Sequence, residues 1–417
     1  MFDFMDMDFN ASAGTVEACG PYIPDASECM RCGMCVSSCP TFRLFQIDEE
    51  TPRRRIRTVD KLLKDQSADD DELFHLNNCV QCRACEAACP SRMAYGELFD
   101  EAKSRIAGKP SVLANFAFWL IERKRWLNRL LPLLTIYLKS GLQMPLRKSG
   151  LLKKLGLAEA EALLVEPALQ ALSDYYPTSL SRRGCVALFT GCVAEPFDRD
   201  TLTAAIQLLN AIGYDVSVPP EQGCCGAIHQ HNGQPATELI NHNLAVFNAL
   251  EVDAVLFTAT GCGAMLNEYK SDAKESAQHF RQRLQDVNDF LVNHWPEDLK
   301  LKPSDQRVAV HESCSQRNIL KNQHAVYGLL EKIPGLSIVP LSDNHICCGA
   351  GGSYMLTHPD NAGQLRELKW QAVEQSQTEH VVSSNFGCAL FLSAGAKKIV
   401  HPLLLLAQQL PANSSSV

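Results

Sequence analysis

The sequence predicts a multidomain protein of mixed α+β and α/β class, with a helical N-terminal module followed by two copies of one α/β unit. Three observations predict it. A cysteine run of pattern C-x2-C-x2-C-x3-C-P occurs twice, at Cys29–Pro40 and Cys79–Pro90. From about residue 183, apolar strand-like runs alternate with helical ones. Within that region, three cysteine-bearing segments recur after 122, 123 and 126 residues. The 417-residue chain therefore divides into a flexible tail (1–25), the cysteine-run module (26–107), a basic amphipathic helical connector (108–182) and the repeats 183–303 and 304–417.

Composition bounds the function. Hydrophobic residues make up 46% and charged residues 21%, as in ordinary globular proteins. Eight of the 18 cysteines lie in the two runs, which argues against a secreted disulfide framework and for a reducing cytoplasm. Cys19 lies outside any motif and reads as a free thiol. No Lys or Arg precedes Arg31, so the N-terminus lacks the positive region of a signal peptide. The longest apolar run, Leu130 to Leu138, is too short to span a bilayer. A net charge of −8 gives no reason to expect nucleic acid as a partner.

Each cysteine run is the one with which bacterial ferredoxins bind [4Fe–4S] clusters. A cubane takes four thiolates, so eight cysteines supply two clusters. Zinc is the rival ligand for C-x2-C, but zinc sites pair two such units across a longer loop. By analogy with two-cluster ferredoxins, Cys29, Cys32, Cys35 and Cys89 hold one cluster, and Cys39, Cys79, Cys82 and Cys85 the other. Between the runs, Pro52 opens a helix on which Ile56, Val59, Leu62 and Leu63 fall at helical spacing. Its Arg53, Arg54, Arg55 and Arg57 either dock an acidic partner, lie beside the clusters' negative charge, or form a solvated face. The segment GELFDEAKSRI after Pro90 reads as a second amphipathic helix.

Residues 103–154 hold twelve Lys/Arg and a single acid, Glu122. Phe116, Phe118, Trp119, Trp126 and Tyr137 and a group of leucines are interleaved with them, as in helices that lie in a membrane surface. Pro132 is expected to break this stretch into at least two short helices. The alternative is a connector packed on the core with its charges solvated.

In the repeats, CVALFTGC corresponds to VAVHESC, EQGCCG to NHICCG, and TATGC to SSNFGC. Strand ends carry the sites of α/β folds. Cys192, Cys224, Cys225 and Cys262 are therefore expected to converge in the first copy, and Cys314, Cys347, Cys348 and Cys388 in the second. Gly226, Gly261, Gly349 and Gly387 fit turns that let backbone approach a ligand. His229, His231, His311 and His345 are read as supporting residues rather than ligands, and Glu195 and Glu312 likewise.

Two such runs followed by two CCG repeats resemble the iron–sulfur subunit of bacterial glycolate oxidase, over residues 26 to about 405. The PRRRI and CPSRMAYGELFDEAK segments favour that family. The layout is also similar to the third subunit of anaerobic glycerol-3-phosphate dehydrogenase, and the C-terminal half resembles the cysteine-rich subunit of heterodisulfide reductase. The resemblance implies two [4Fe–4S] clusters, one or two further Fe–S clusters in the CCG repeats, and a flavin-containing 2-hydroxy acid dehydrogenase as partner. Electrons would pass to a quinone-type acceptor, with the protein cytoplasmic and peripheral at the inner face of the membrane. One departure stands out: the heterodisulfide reductase motif ends each repeat in C-x-x-C, whereas Met265 and Phe391 occupy those positions here. That counts against the alternative of a disulfide-reducing centre; a lactate or glycerol-3-phosphate complex stays open. No G-x-G-x-x-G follows a strand, so the flavin or nicotinamide site is expected on another chain.

Overall fold

The computed structural model describes residues 23–378, 380–394 and 398–411. Cys19 and the expected tail up to Tyr22 lie outside them. The N-terminal module is helical. Pro52 occupies the first turn of the helix Pro52–Leu63, and the Thr51 hydroxyl accepts from the Arg54 N–H at 3.4 Å. Ile56, Val59 and Leu62 are buried in one core with Leu98, Phe99 and Ala102 of the helix Tyr95–Ile106. Between them the helix Asp70–Asn77 starts from a reciprocal cap. Asp69 accepts from the Glu72 N–H at 2.8 Å, and Glu72 accepts from the Asp69 N–H at 3.2 Å.

The connector forms the helices Val112–Glu122 and Lys124–Lys139. Pro132 does not break the second of them, contrary to expectation; the break falls at Arg123. Pro132 and Asn128 both face solvent. The Asn128 carbonyl, left without an N–H partner, can bond water, while Leu127 and Leu131 hold the neighbouring face by burial. No helix among the described residues is long and apolar enough to cross a membrane.

The rest is two α/β units of matching topology. The strands are β1 (Tyr175–Tyr176), β2 (Gly184–Phe189), β3 (Tyr214–Ser217), β4 (Ala254–Phe257) and β5 (Leu284–Asp286) in the first sheet. The second sheet has β6 (Arg307–His311), β7 (Ser337–Pro340), β8 (His380–Ser383) and β9 (Ile399–Val400). The orders are β1-β3-β2-β4-β5 and β7-β6-β8-β9. All neighbours are parallel except β1, which runs antiparallel to β3 at the edge. Strands β3-β2-β4-β5 thus correspond to β7-β6-β8-β9. The central strands are apolar on both faces, as helix-covered parallel strands must be. One continuous core joins the two units: Leu202, Ile206 and Leu209 of the helix Arg199–Ala211 are buried together with Leu403 and Leu406 of the helix Pro402–Gln408.

Asp286 ends β5 and caps the helix Val287–His294, its Oδ1 accepting from the Asn288 N–H at 2.7 Å. Its Oδ2 is buried with no hydrogen-bond partner among the described residues. Burial, with Asp289 adding repulsion, raises its pKa to about 7. Between the ordinary carboxylate range and pH 7, the folded chain holds a proton that the unfolded chain has released. Stability therefore falls as pH rises through that window and stays reduced above it. Asp286→Asn, which can keep the cap, is expected to add on the order of 1–3 kcal/mol at pH 8 and nothing near pH 3. Denaturant melts at the two pH values check this.

Candidate functional site

The parallel strands place their carboxyl ends on one side of each sheet, and the cysteines follow from that edge. Cys192 lies three residues beyond β2 and Cys314 three beyond β6. The Cys-Cys pairs follow β3 and β7. Cys262 and Cys388 sit in the first turns of the helices Thr260–Asn267 and Phe386–Ser393.

The cysteines of the two ferredoxin-type runs separate by cavity. Cys29, Cys32, Cys35 and Cys89 line one of about 40 Å³. Cys39, Cys79, Cys82 and Cys85 line a second of about 280 Å³, which also takes in Cys192, Cys224, Cys225, Cys262, Cys314, Cys348 and Cys388. The fourth cysteine of each run thus faces the first three of the other. The loops share one backbone: Arg31 and Gln81 have φ of 56°, and Gly33 and Arg83 have φ of 84° and 57°. These left-handed residues turn the chain so that main-chain N–H groups meet sulfur, with Gln81 N–H donating to Cys79 Sγ at 3.4 Å.

This donor set fits iron–sulfur clusters. Burial first, then the neighbouring Cys29, pushes the Cys35 thiol up to about 11. Burial also raises Cys82 and Cys85 well above the thiol range. Grouped neutral thiols of this kind ionise together when a cationic metal core binds them. A positive charge is also built in. Arg55 is buried, donates to Thr41 Oγ1 at 2.8 Å and to the His75 carbonyl at 2.7 Å, and lies 3.6 Å from Cys39 Sγ. Of the four candidate arginines it alone is buried; Arg53 lines the cavity of Cys29, Cys32, Cys35 and Cys89, and both Arg53 and Arg54 pair with Asp48 at the surface.

In the first repeat, Cys192 lies beside Cys224, and Cys225 lies beside both Cys224 and Cys262. In the second, Cys314 Sγ lies 4.0 Å from Cys347 Sγ. The adjoining sulfurs of Cys314 and Cys348 hold the Cys347 thiol well below the usual range. Gly226 and Gly349 donate their N–H to Cys224 and Cys347, each at 3.4 Å. The two repeats meet between these groups. Asn385 accepts from the Gly261 N–H at 3.0 Å and donates to Cys388 Sγ at 3.2 Å. Met265 and Phe391 are buried in packing, with Arg366 stacked 4.7 Å from the Phe391 ring.

The supporting residues sort differently from one another. His229 pairs with Glu122 at 2.9 Å. Glu195 accepts from Thr190 Oγ1 at 2.8 Å and pairs with Lys124. Glu312 accepts from the Tyr327 hydroxyl at 2.7 Å and pairs with Arg317. His345 is exposed, and His231 is half-buried beside Gly352. His231 lines the large cysteine cavity, and among the described residues His311 is the histidine grouped with two cysteine sulfurs, those of Cys348 and Cys388. Sequence reasoning missed that Glu122 and Lys124 plug the connector into the first repeat. A single acid in a strongly basic stretch was the available signal.

Comparison with known proteins agrees with this arrangement. Residues 25–101 match the 4Fe-4S dicluster domain, 186–267 and 308–393 the cysteine-rich domain, and 109–164 the linker region of the glycolate oxidase iron-sulfur subunit. The chain is 35% identical to a probable glycolate oxidase iron-sulfur subunit of Bacillus subtilis (strain 168), over 89% of each chain. It is 30% identical to the glycolate oxidase iron-sulfur subunit of Escherichia coli (strain K12), over 92% of this chain and 93% of that one. Lactate utilization protein A of Geobacillus thermodenitrificans (strain NG80-2) is 25% identical over 52% of this chain and 94% of its own.

Proposed function

We propose, from the premise that this chain belongs to the family of glycolate oxidase iron–sulfur subunits, that it relays electrons from a flavin-containing 2-hydroxy acid dehydrogenase subunit to a quinone-type acceptor. The N-terminal module carries two [4Fe–4S] clusters. Each such cluster takes up and gives away one electron at a time. The proposed ligands are Cys29, Cys32, Cys35 and Cys89 for one, and Cys39, Cys79, Cys82 and Cys85 for the other. Cys192, Cys224, Cys225 and Cys262, and Cys314, Cys347, Cys348 and Cys388, are proposed as the ligand sets of two further centres. The carrying observation is the continuity of these groups: Cys82 is buried in one core with Cys347, Cys348 and Cys388. The protein's part is to hold thiolates, supply N–H donors to sulfur and set the local charge through Arg55.

Iron and acid-labile sulfide on anaerobically purified protein test the ligand sets. Cys224→Ala and Cys347→Ala are each expected to remove about 4 Fe from a wild-type content of about 16. Unchanged iron in both variants would mean that the CCG repeats serve only for docking.

A peripheral seat on the inner face of the cytoplasmic membrane is the second part of the reading. The connector exposes Val112, Leu113, Phe116, Trp126, Leu133 and Ile136 beside exposed Arg125, Arg129, Lys148 and Lys153. Lys124 is not part of that face, because it pairs with Glu195. Each basic residue near an anionic surface contributes roughly 1 kcal/mol, so neutralising these four to Gln is expected to weaken binding to anionic vesicles roughly a thousandfold. Unchanged cosedimentation would remove the membrane from the reading.

A further inference from the structure

The two repeats share topology and cysteines, but they differ at one pair of facing residues. In the first, Phe189 at the end of β2 pairs in register with Phe257 of β4. Both rings are buried in an apolar core. In the second repeat, His311 at the end of β6 pairs in register with Ser383 of β8. A Phe–Phe pair has been exchanged for a His–Ser pair at equivalent positions. Both are buried, His311 at 1% exposure. A buried imidazole needs a reason to be there.

The His311 surroundings supply one. Its Nδ1 lies 3.0 Å from Ser383 Oγ, which fixes the ring plane and leaves Nε2 for another partner. The ring's ligand atom, Cys348 Sγ and Cys388 Sγ lie within 4.8 Å of one another. A histidine tied by a hydrogen bond at Nδ1, within reach of two sulfur donors, resembles a metal ligand held by a hydrogen bond behind it. The position fills a gap in the donor count, since Phe391 stands where a fifth cysteine would be. We propose that His311 is a nitrogen ligand of an iron–sulfur centre in the second repeat, joining Cys348 and Cys388 with Cys314 and Cys347 beside them. The first repeat, with Phe189 in its place, offers sulfur alone. The inference rests on the reading that the second repeat holds such a centre.

The consequence is a difference in potential. Replacing thiolate by neutral imidazole leaves a centre less negative and easier to reduce, as in clusters with histidine ligands. The Asn385 amide on Cys388 Sγ works in the same direction. The second repeat would then be the better electron acceptor of the two, and it is the one beside Cys82.

Pulsed EPR on the anaerobically purified full-length chain, unlabelled and with [15N]histidine, tests the assignment. A strongly coupled 14N signal is expected in the wild type, changing to 15N on labelling. It is expected to vanish in His311→Cys, a variant that supplies sulfur in place of nitrogen, with iron content retained and a lower midpoint potential. Persistence of the coupling in His311→Cys overturns the proposal. So does its absence in the wild type when Cys348→Ala still loses iron; in that case the centre stands and only the histidine assignment fails. If Cys348→Ala changes neither iron nor spectra, or loses zinc instead of iron, the iron–sulfur reading of the second repeat fails and this inference with it.

Discussion

Arg55→Met is expected to destabilise the N-terminal module by about 3–5 kcal/mol and to lower the midpoint potential of the cluster proposed at Cys39, Cys79, Cys82 and Cys85. The reason lies in what Arg55 leaves behind. Glu50 is 1% exposed and pairs with it. His75 Nδ1 at 2.7 Å and Asn78 Nδ2 at 2.8 Å also hold Glu50, but neither brings the permanent charge of a guanidinium. Without Arg55 a buried carboxylate remains uncompensated. The double variant Arg55→Met/Glu50→Gln separates the two effects. Chemical melts are expected to recover most of the stability, because neither charge is then buried alone. A redox titration followed by EPR is expected to show the potential still low, because the cation 3.6 Å from Cys39 Sγ is gone. If the single variant titrates like wild type, Arg55 serves folding alone.

Cys82→Ser is expected to be the most damaging single change to electron delivery. It removes a proposed ligand, and with it about 4 Fe per chain. It also opens the contact between module and repeat. Cys82 is buried in one core with Cys347, and Cys314 packs against that core. The Asn318 amide donates to its main-chain carbonyl at 2.8 Å. Reduction of the C-terminal centres through a flavin partner is then expected to stop, while direct chemical reduction of those centres continues. Cys32→Ser, at the far cluster, is the control. If both variants lose the same spectroscopic features, the two clusters are not separable in the way proposed.

Local order was what the sequence made legible. Cysteine spacing marked both runs, because a cluster-binding loop needs its thiolates a fixed few residues apart. The strand–cysteine register exposed the duplicated α/β unit, because a parallel sheet brings equivalent strand ends to one edge. Contacts between distant segments were not readable. Nothing near Arg55 distinguishes it from Arg53 or Arg54; only the helix face it falls on buries it against Glu50. Pro132 looked like a break because propensity ignores solvent, which serves the carbonyl its ring leaves free. Lys124 looked like part of a basic face until Glu195, 71 residues away in sequence, was seen to face it. His311 differs from the other histidines only through its strand partner Ser383, a pairing that no local pattern encodes.

The loop carrying Cys29, Cys32 and Cys35 lies at the surface, whereas Cys39 and Cys82 are buried. Its Met30 and Met34 are 77% and 58% exposed. Air therefore reaches this end of the chain first, and both methionines are open to conversion to sulfoxides. A partner subunit seated on this loop would cover it, so aerobic half-life becomes a gauge of assembly. The isolated chain is then expected to lose its colour in air faster than the assembled complex.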